Sequence, residues 1–253
     1  MTEIDKQAAL KEMFEAGTHF AYARSRRHPS VAPFIFGAKN RIEIFDLEKT
    51  YDTLATTKEY VKGLGKEGKV ILFVAGKNEA HDALVKGAES IEMPHVAGRW
   101  IGGTLTNFTQ IKKRIDKLAD LKEKKEKGSL AQFTKKERLL IDRDIEDLER
   151  TFGGITTLAK KPDALFVVDP RQEIIAVKEA DVIGIPVIAI MGSDCNIKEV
   201  SQAIVGNDSA RGSISYFIDQ LSAAYLEGKA EKQAETVEAA KVAPTDKSDK
   251  SDK

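Results

Sequence analysis

A chain of 253 residues with 42% hydrophobic residues can bury a sizeable core, and 40 basic against 40 acidic residues leave no net charge to name a partner. The single cysteine, Cys195, excludes a disulfide framework, and no apolar run reaches membrane-spanning length. The mixed charges of Met1 to Lys6 lack the apolar stretch of a signal peptide, so a cytoplasmic protein without a membrane partner is expected.

Leu10, Met13 and Phe14 form the apolar stripe of a first helix that Gly17 should end. From Phe20 to Arg41 the character changes. Arg24, Arg26, Arg27, Lys39 and Arg41 arrive with no acidic residue before Glu43, among Pro29, Pro33, Tyr22, Phe34 and Phe36, which predicts mostly irregular backbone. Ile42 to Phe45 reads as a strand, Leu47 to Leu64 as a helix, and Val70 to Val74 as a buried strand. A helix over Asn78 to Ser90 and a short strand near His95-Val96 follow, leading into the glycine-rich stretch Gly98 to Phe108.

Residues 111–150 carry dense mixed charge. Ile111, Ile115, Leu118 and Leu121, then Ile141, Ile145 and Leu148, recur at three and four residues, and Thr134 with Glu137 matches a capping box. Two antiparallel helices with an apolar seam result, a coiled-coil hairpin projecting from the main domain. Ala164 to Val168 is a continuous apolar run that stops at Asp169-Pro170-Arg171, and Pro186 to Ile190 is a second. Ile175, Ala176, Ala180 and Ile183 supply a helix between them, ended by Gly184. Uninterrupted apolar strands joined through a helix belong to a parallel sheet covered on both faces, with a right-handed crossover. The runs at 70–74, 165–168 and 187–190 should therefore be neighbouring parallel strands. A helix from about Ser209 to Leu226 closes the fold, and the Ala, Glu and Lys beyond it predict a disordered charged tail over 227–253. Residues 1–226 then form one α/β domain carrying the inserted hairpin.

Among the motifs, Gly63-Leu64-Gly65-Lys66-Glu67-Gly68 spells the dinucleotide fingerprint, yet it follows a helix and precedes a strand, so it reads as helix termination and turn. Gly76-Lys77-Asn78 lacks the rest of a P-loop and reads as a strand-to-helix turn. Asp169, Asp194 and Asp208 could converge at the carboxyl edge of the sheet, where doubly wound enzymes hold their sites, or serve as caps. No nucleophile with a base accompanies them, and His19, His28, His81 and His95 lack ligand spacing, so no catalytic residue, metal or cofactor is assigned. The basic stretch is the better signal. Guanidinium groups bridge phosphate oxygens, and aromatic rings stack on unpaired bases. Arg99-Trp100 beside Gly102-Gly103 points the same way, although a tryptophan there can equally pack into the core.

Several stretches together resemble the S-two family of small-subunit ribosomal proteins, bacterial type. They are Glu15-Ala16-Gly17-Thr18-His19-Phe20, Pro33 to Gly37, Phe45 to Thr50, Arg99 to Phe108, Phe166 to Arg171, Ala176 to Ala180 and Gly206-Asn207-Asp208. The resemblance implies a flavodoxin-like parallel sheet flanked by helices, with a protruding antiparallel coiled-coil hairpin, placed between head and body of the small (30S) subunit. It implies contact with rRNA and neighbouring ribosomal proteins, docking of the S-one protein in many bacteria, and no catalysis or small-molecule substrate. The chain departs from the family's pattern at Ala21-Tyr22, Met191 to Asn196 and Ala203 to Val205. The expected RNA contacts are Arg24, Arg26, Arg27, His28, Lys39 and Arg41, joined by Arg99 and Trp100 and by Lys112, Lys113 and Arg114 at the start of the hairpin. The competing expectation is a doubly wound α/β enzyme using the carboxyl edge.

Overall fold

The computed structural model describes residues 3–242, beginning with helix α1 (Glu3–Glu15), which Gly17 ends at φ +74°. The stretch expected to be irregular instead contains two strands, β1 (Phe20–Ala23) and β2 (Ile35–Lys39), joined through two 3-10 turns. Both pair antiparallel with β3 (Ile42–Phe45), giving a small sheet of order β1-β3-β2. Strands of four and five residues, separated by turns that hold Pro29 and Pro33, leave no alternating pattern long enough to see in the sequence. The β2–β3 loop consists of Asn40 and Arg41, both at positive φ, the backbone a two-residue hairpin turn requires.

Helix α2 (Leu47–Glu67) is capped by the Asp46 side chain on the Glu48 amide and ends at Gly68, φ +73°. It runs straight through Gly63 and Gly65, so only the last glycine of the fingerprint-like stretch terminates it. Gly65 has another reason: a Cβ there would lie 2.3 Å from the Tyr225 carbonyl oxygen of the last helix. After α2 come β4 (Ile71–Ala75), α3 (Asn78–Ser90), β5 (His95–Ala97), α4 (Phe108–Glu126), α5 (Lys135–Phe152), β6 (Ala164–Val168), α6 (Ile174–Ile183), β7 (Val187–Met191) and β8 (Gln202–Val205). The five-stranded sheet has the order β5-β4-β6-β7-β8 and is parallel throughout. The three apolar runs are thus neighbours, as their pattern requires.

Each run divides its side chains between two cores, because successive residues of a strand point to opposite faces. Ile71, Phe73, Phe166, Val168, Ile188 and Ile190 pack with α2, α3 and the last helix, α7 (Arg211–Val242). Leu72, Val74, Leu165, Val167, Val187 and Ala189 pack with α6, Trp100, Leu105 and the root of the hairpin at Ile111, Ile115 and Phe152. The helices α4 and α5 are tied to each other by the ion pairs Lys117–Asp144, Lys122–Glu149 and Lys125–Asp142. The Thr134–Glu137 capping box opens α5.

Helix α7 does not stop at Leu226. It continues to Val242, overturning the expected disordered start at residue 227, while 243–253 lie outside the described residues. The continuation is held by packing against α2. A Cβ on Gly228 would sit 2.1 Å from the Lys62 carbonyl oxygen, so this glycine lets α7 cross α2 closely. Glu231 pairs with Lys62, Lys229 with Glu92, and Lys232 donates to the Glu67 carbonyl. A chain ending at residue 234 should therefore melt like the full protein. One ending at Leu226 loses the Gly228 crossing, and thermal denaturation should show a fall of roughly 3 °C.

Candidate nucleic-acid interface

The carboxyl ends of β4, β6, β7 and β8 bring together residues far apart in sequence. Lys77 follows β4, and its ammonium lies 2.7 Å from Asp169 Oδ2 and 3.0 Å from Asp208 Oδ2. It also donates to the Asp208 carbonyl oxygen at 3.1 Å. Burial works against its charge, but the two carboxylates outweigh that and hold its pKa above the ordinary lysine value. Asp169 turns the chain after β6 at φ +62°, with Oδ1 accepting the amides of Arg171 and Gln172. Asp194 Oδ2 accepts from Arg171 at 2.8 Å and from Arg26 at 3.1 Å.

The small sheet and its 3-10 turns are fastened to this edge. His28 N donates to the Ser193 carbonyl at 2.8 Å, Tyr22 N to Ser193 Oγ at 3.1 Å, and Ile197 N to Ser30 Oγ at 3.2 Å. The crevice that a doubly wound enzyme would offer a ligand is partly occupied by the chain's own Lys77 and N-terminal segment. A cleft of about 370 Å³ persists between Arg26, His28, Arg171 and Asp194. Asp169, Cys195 and Asp208 bring ligand atoms within 4.8 Å of one another, yet Lys77 already supplies the cation there. Cys195 is a poor nucleophile, since burial and the surrounding carboxylates push its thiol pKa up.

On the other side of the sheet the glycine-rich stretch is wound around one carboxylate. Glu179 Oε1 accepts from Gly103 N at 2.7 Å and Trp100 Nε1 at 3.2 Å; Oε2 accepts from Leu105 N, Thr106 N and Thr106 Oγ1 at 3.0–3.1 Å. Burial raises the pKa of Glu179, but these donors outweigh it and leave the group below its ordinary value. The carboxylate thereby fixes the entry into α4, and with it Arg99 and the first turns of the hairpin.

Residues 13–228 match the family model described as Ribosomal protein S2. Two proteins named "Small ribosomal subunit protein uS2" are each 41% identical over 226 residues. One, from Helicobacter hepaticus, aligns over 89% of this chain and 86% of its own length; the other, from Nitratiruptor sp., over 89% and 85%. The chain belongs to the ribosomal protein S2 family. S2 proteins are structural rather than enzymatic.

The expected S2 contact residues fall into two groups. Arg24, Lys39, Arg41, Arg99, Lys112, Lys113 and Arg114 are exposed and have no acidic partner among the described residues. The others are engaged within the protein. Arg27 pairs at 2.9 Å with Glu43, whose side chain is 3% exposed, and Arg26 spends one nitrogen on Asp194 while its guanidinium lies 4.3 Å from the Tyr22 ring centre. The cations that stand without anions in sequence therefore find buried anions in space. His28 caps the 3-10 turn that follows it, its Nδ1 accepting from the Ser30 amide at 3.2 Å and meeting Ser30 Oγ at 2.7 Å. Trp100 is 5% exposed and bonded to Glu179, so its faces are not available to stack on a base; its size and one donor suit it to the core. Lys77, Glu43 and Glu179 were missed as organising residues, although Gly76-Lys77-Asn78 and Ala176 to Ala180 were visible as motifs.

Proposed function

We propose that this protein is a structural constituent of the small ribosomal subunit that binds rRNA and neighbouring ribosomal proteins in the cytoplasm. The observation that carries this is that seven of the eleven expected contact residues are exposed cations without an acidic partner among the described residues, in a chain of zero net charge. On α4 and just beyond it, Lys117, Lys122, Lys124, Lys125 and Lys127 each have an acidic partner, while Lys112, Lys113 and Arg114 have none among the described residues. RNA responds to such local patches through phosphate contacts and counterion release, whatever the total charge. The S-one protein is among the neighbours proposed. Residues 1–226 are proposed to fold as one domain, because both cores share the same five strands.

The tagged protein should co-sediment with small subunits at low salt; persistence in the soluble fraction would overturn the ribosomal reading. Changing Arg24, Lys112, Lys113 and Arg114 together to Gln should leave the melting temperature unchanged and weaken rRNA binding. The slope of log affinity against log salt should shrink by about 0.9 for each phosphate that is no longer neutralised. Neutralising Lys124, Lys125 and Lys127 at the tip should change neither, and equal effects from both sets would move the binding surface elsewhere. Arg26 and Arg27 are unsuited to this test, since losing Arg27 strands Glu43 and losing Arg26 removes one of the two cations on Asp194.

A further inference from the structure

We propose, building on the rRNA reading above, that the β2–β3 hairpin captures an unpaired nucleotide, Phe36 stacking on its base while Lys39 and Arg41 hold adjoining phosphates. Three observations meet here. Phe36 is 80% exposed, a cost in water for which the fold offers no return. It also stands in a break of register: Ile35 pairs with Phe45 and Gly37 with Ile44, so Phe36 is the extra residue of a bulge, a device that turns a side chain out of the pleat.

The third observation is Arg41, held at φ +66° in a turn whose positive φ values favour glycine. A charged residue at a strained backbone position signals a use for its side chain. The charge of the sheet selects the partner. Its three strands contain one acid, Glu43, which is buried against Arg27, so the outward surface offers cations and rings, the combination that grips unpaired nucleic acid. A duplex, its bases already stacked, could use the cations but not Phe36.

The test compares the full chain binding a mixed-sequence single-stranded RNA dodecamer, the matching duplex and small-subunit rRNA across a salt series. Phe36→Ala should weaken single-strand binding about tenfold with the salt slope unchanged, Phe36→Trp should restore it, and duplex binding should not move. Arg41→Gly should flatten the single-strand salt slope by about 0.7 and leave the melting temperature no lower than that of the wild type, because glycine suits the turn. Unchanged single-strand binding by Phe36→Ala would overturn the proposal while leaving the rRNA reading intact, and weakened ribosome incorporation alongside it would assign Phe36 to a protein neighbour instead. A lower melting temperature or unaltered binding in Arg41→Gly would remove Arg41 from the site. Failure of the wild type to bind any of the three RNAs would overturn both.

Discussion

Replacing Glu179 by alanine is expected to cost about 3–5 kcal/mol, because five donors, three of them backbone amides, lose a charged acceptor in a largely buried site. Glu179→Gln should fare little better. Each carboxylate oxygen accepts at least two donors, so an amide nitrogen in either place turns a hydrogen bond into a donor–donor clash. Urea denaturation measures the loss, and hydrogen exchange at Gly103, Leu105 and Thr106 should accelerate before the rest of the chain unfolds. The pH dependence has a defined sign. The folded-state pKa lies below the ordinary value of 4.5, so the stabilisation is complete above that pH and is lost as pH falls through the lower folded value. In Glu179→Ala that acid-side loss should disappear. Binding to rRNA should weaken as well, since the loop that presents Arg99 and opens α4 is no longer held.

Lys77→Met should be destabilising by about 3–5 kcal/mol for a different reason: it leaves Asp169 and Asp208 buried, close together and without their cation. Two neighbouring carboxylates cannot both stay ionised there, so one takes a proton in the folded state with a raised pKa. The deficit should then narrow as pH falls, because the folded form binds a proton that the unfolded form releases until the pH is near the ordinary carboxylate range. Adding Asp208→Asn to Lys77→Met should recover part of the loss at neutral pH. A deficit independent of pH would mean that Lys77 acts by packing its stem rather than by neutralising the pair.

Much of the fold could be read from residue order, since it follows from local periodicity. The continuous runs read at 70–74, 165–168 and 187–190 contain no polar face, so they had to be strands covered on both sides, and the structure pairs them as neighbours. The apolar spacing over 111–121 and 141–148 marked the helices α4 and α5, and Thr134 with Glu137 marked the cap that opens the second. Family motifs placed the Arg99 to Phe108 and Phe166 to Arg171 blocks among the defining stretches, without saying what holds them. Short strands β1 and β2 were hidden because four or five residues, in β2 interrupted by a bulge, carry no usable period.

The candidate site divides along the same line. Sequence alone singled out the basic run from Arg24 to Arg41 and the cations at the start of α4, because charge is carried by residue type. Which of those charges is free was a tertiary decision. Arg27 meets Glu43 across 16 residues and Arg26 meets Asp194 across 168, so a linear count of cations without anions overstated the patch. Trp100 and Glu179 are 79 positions apart, Lys77 and Asp208 131, and no local pattern encodes either pairing. A charge's partner is set by where the sheet edge brings the loops, and electrostatic energy depends on that distance and on burial, neither of which residue order contains.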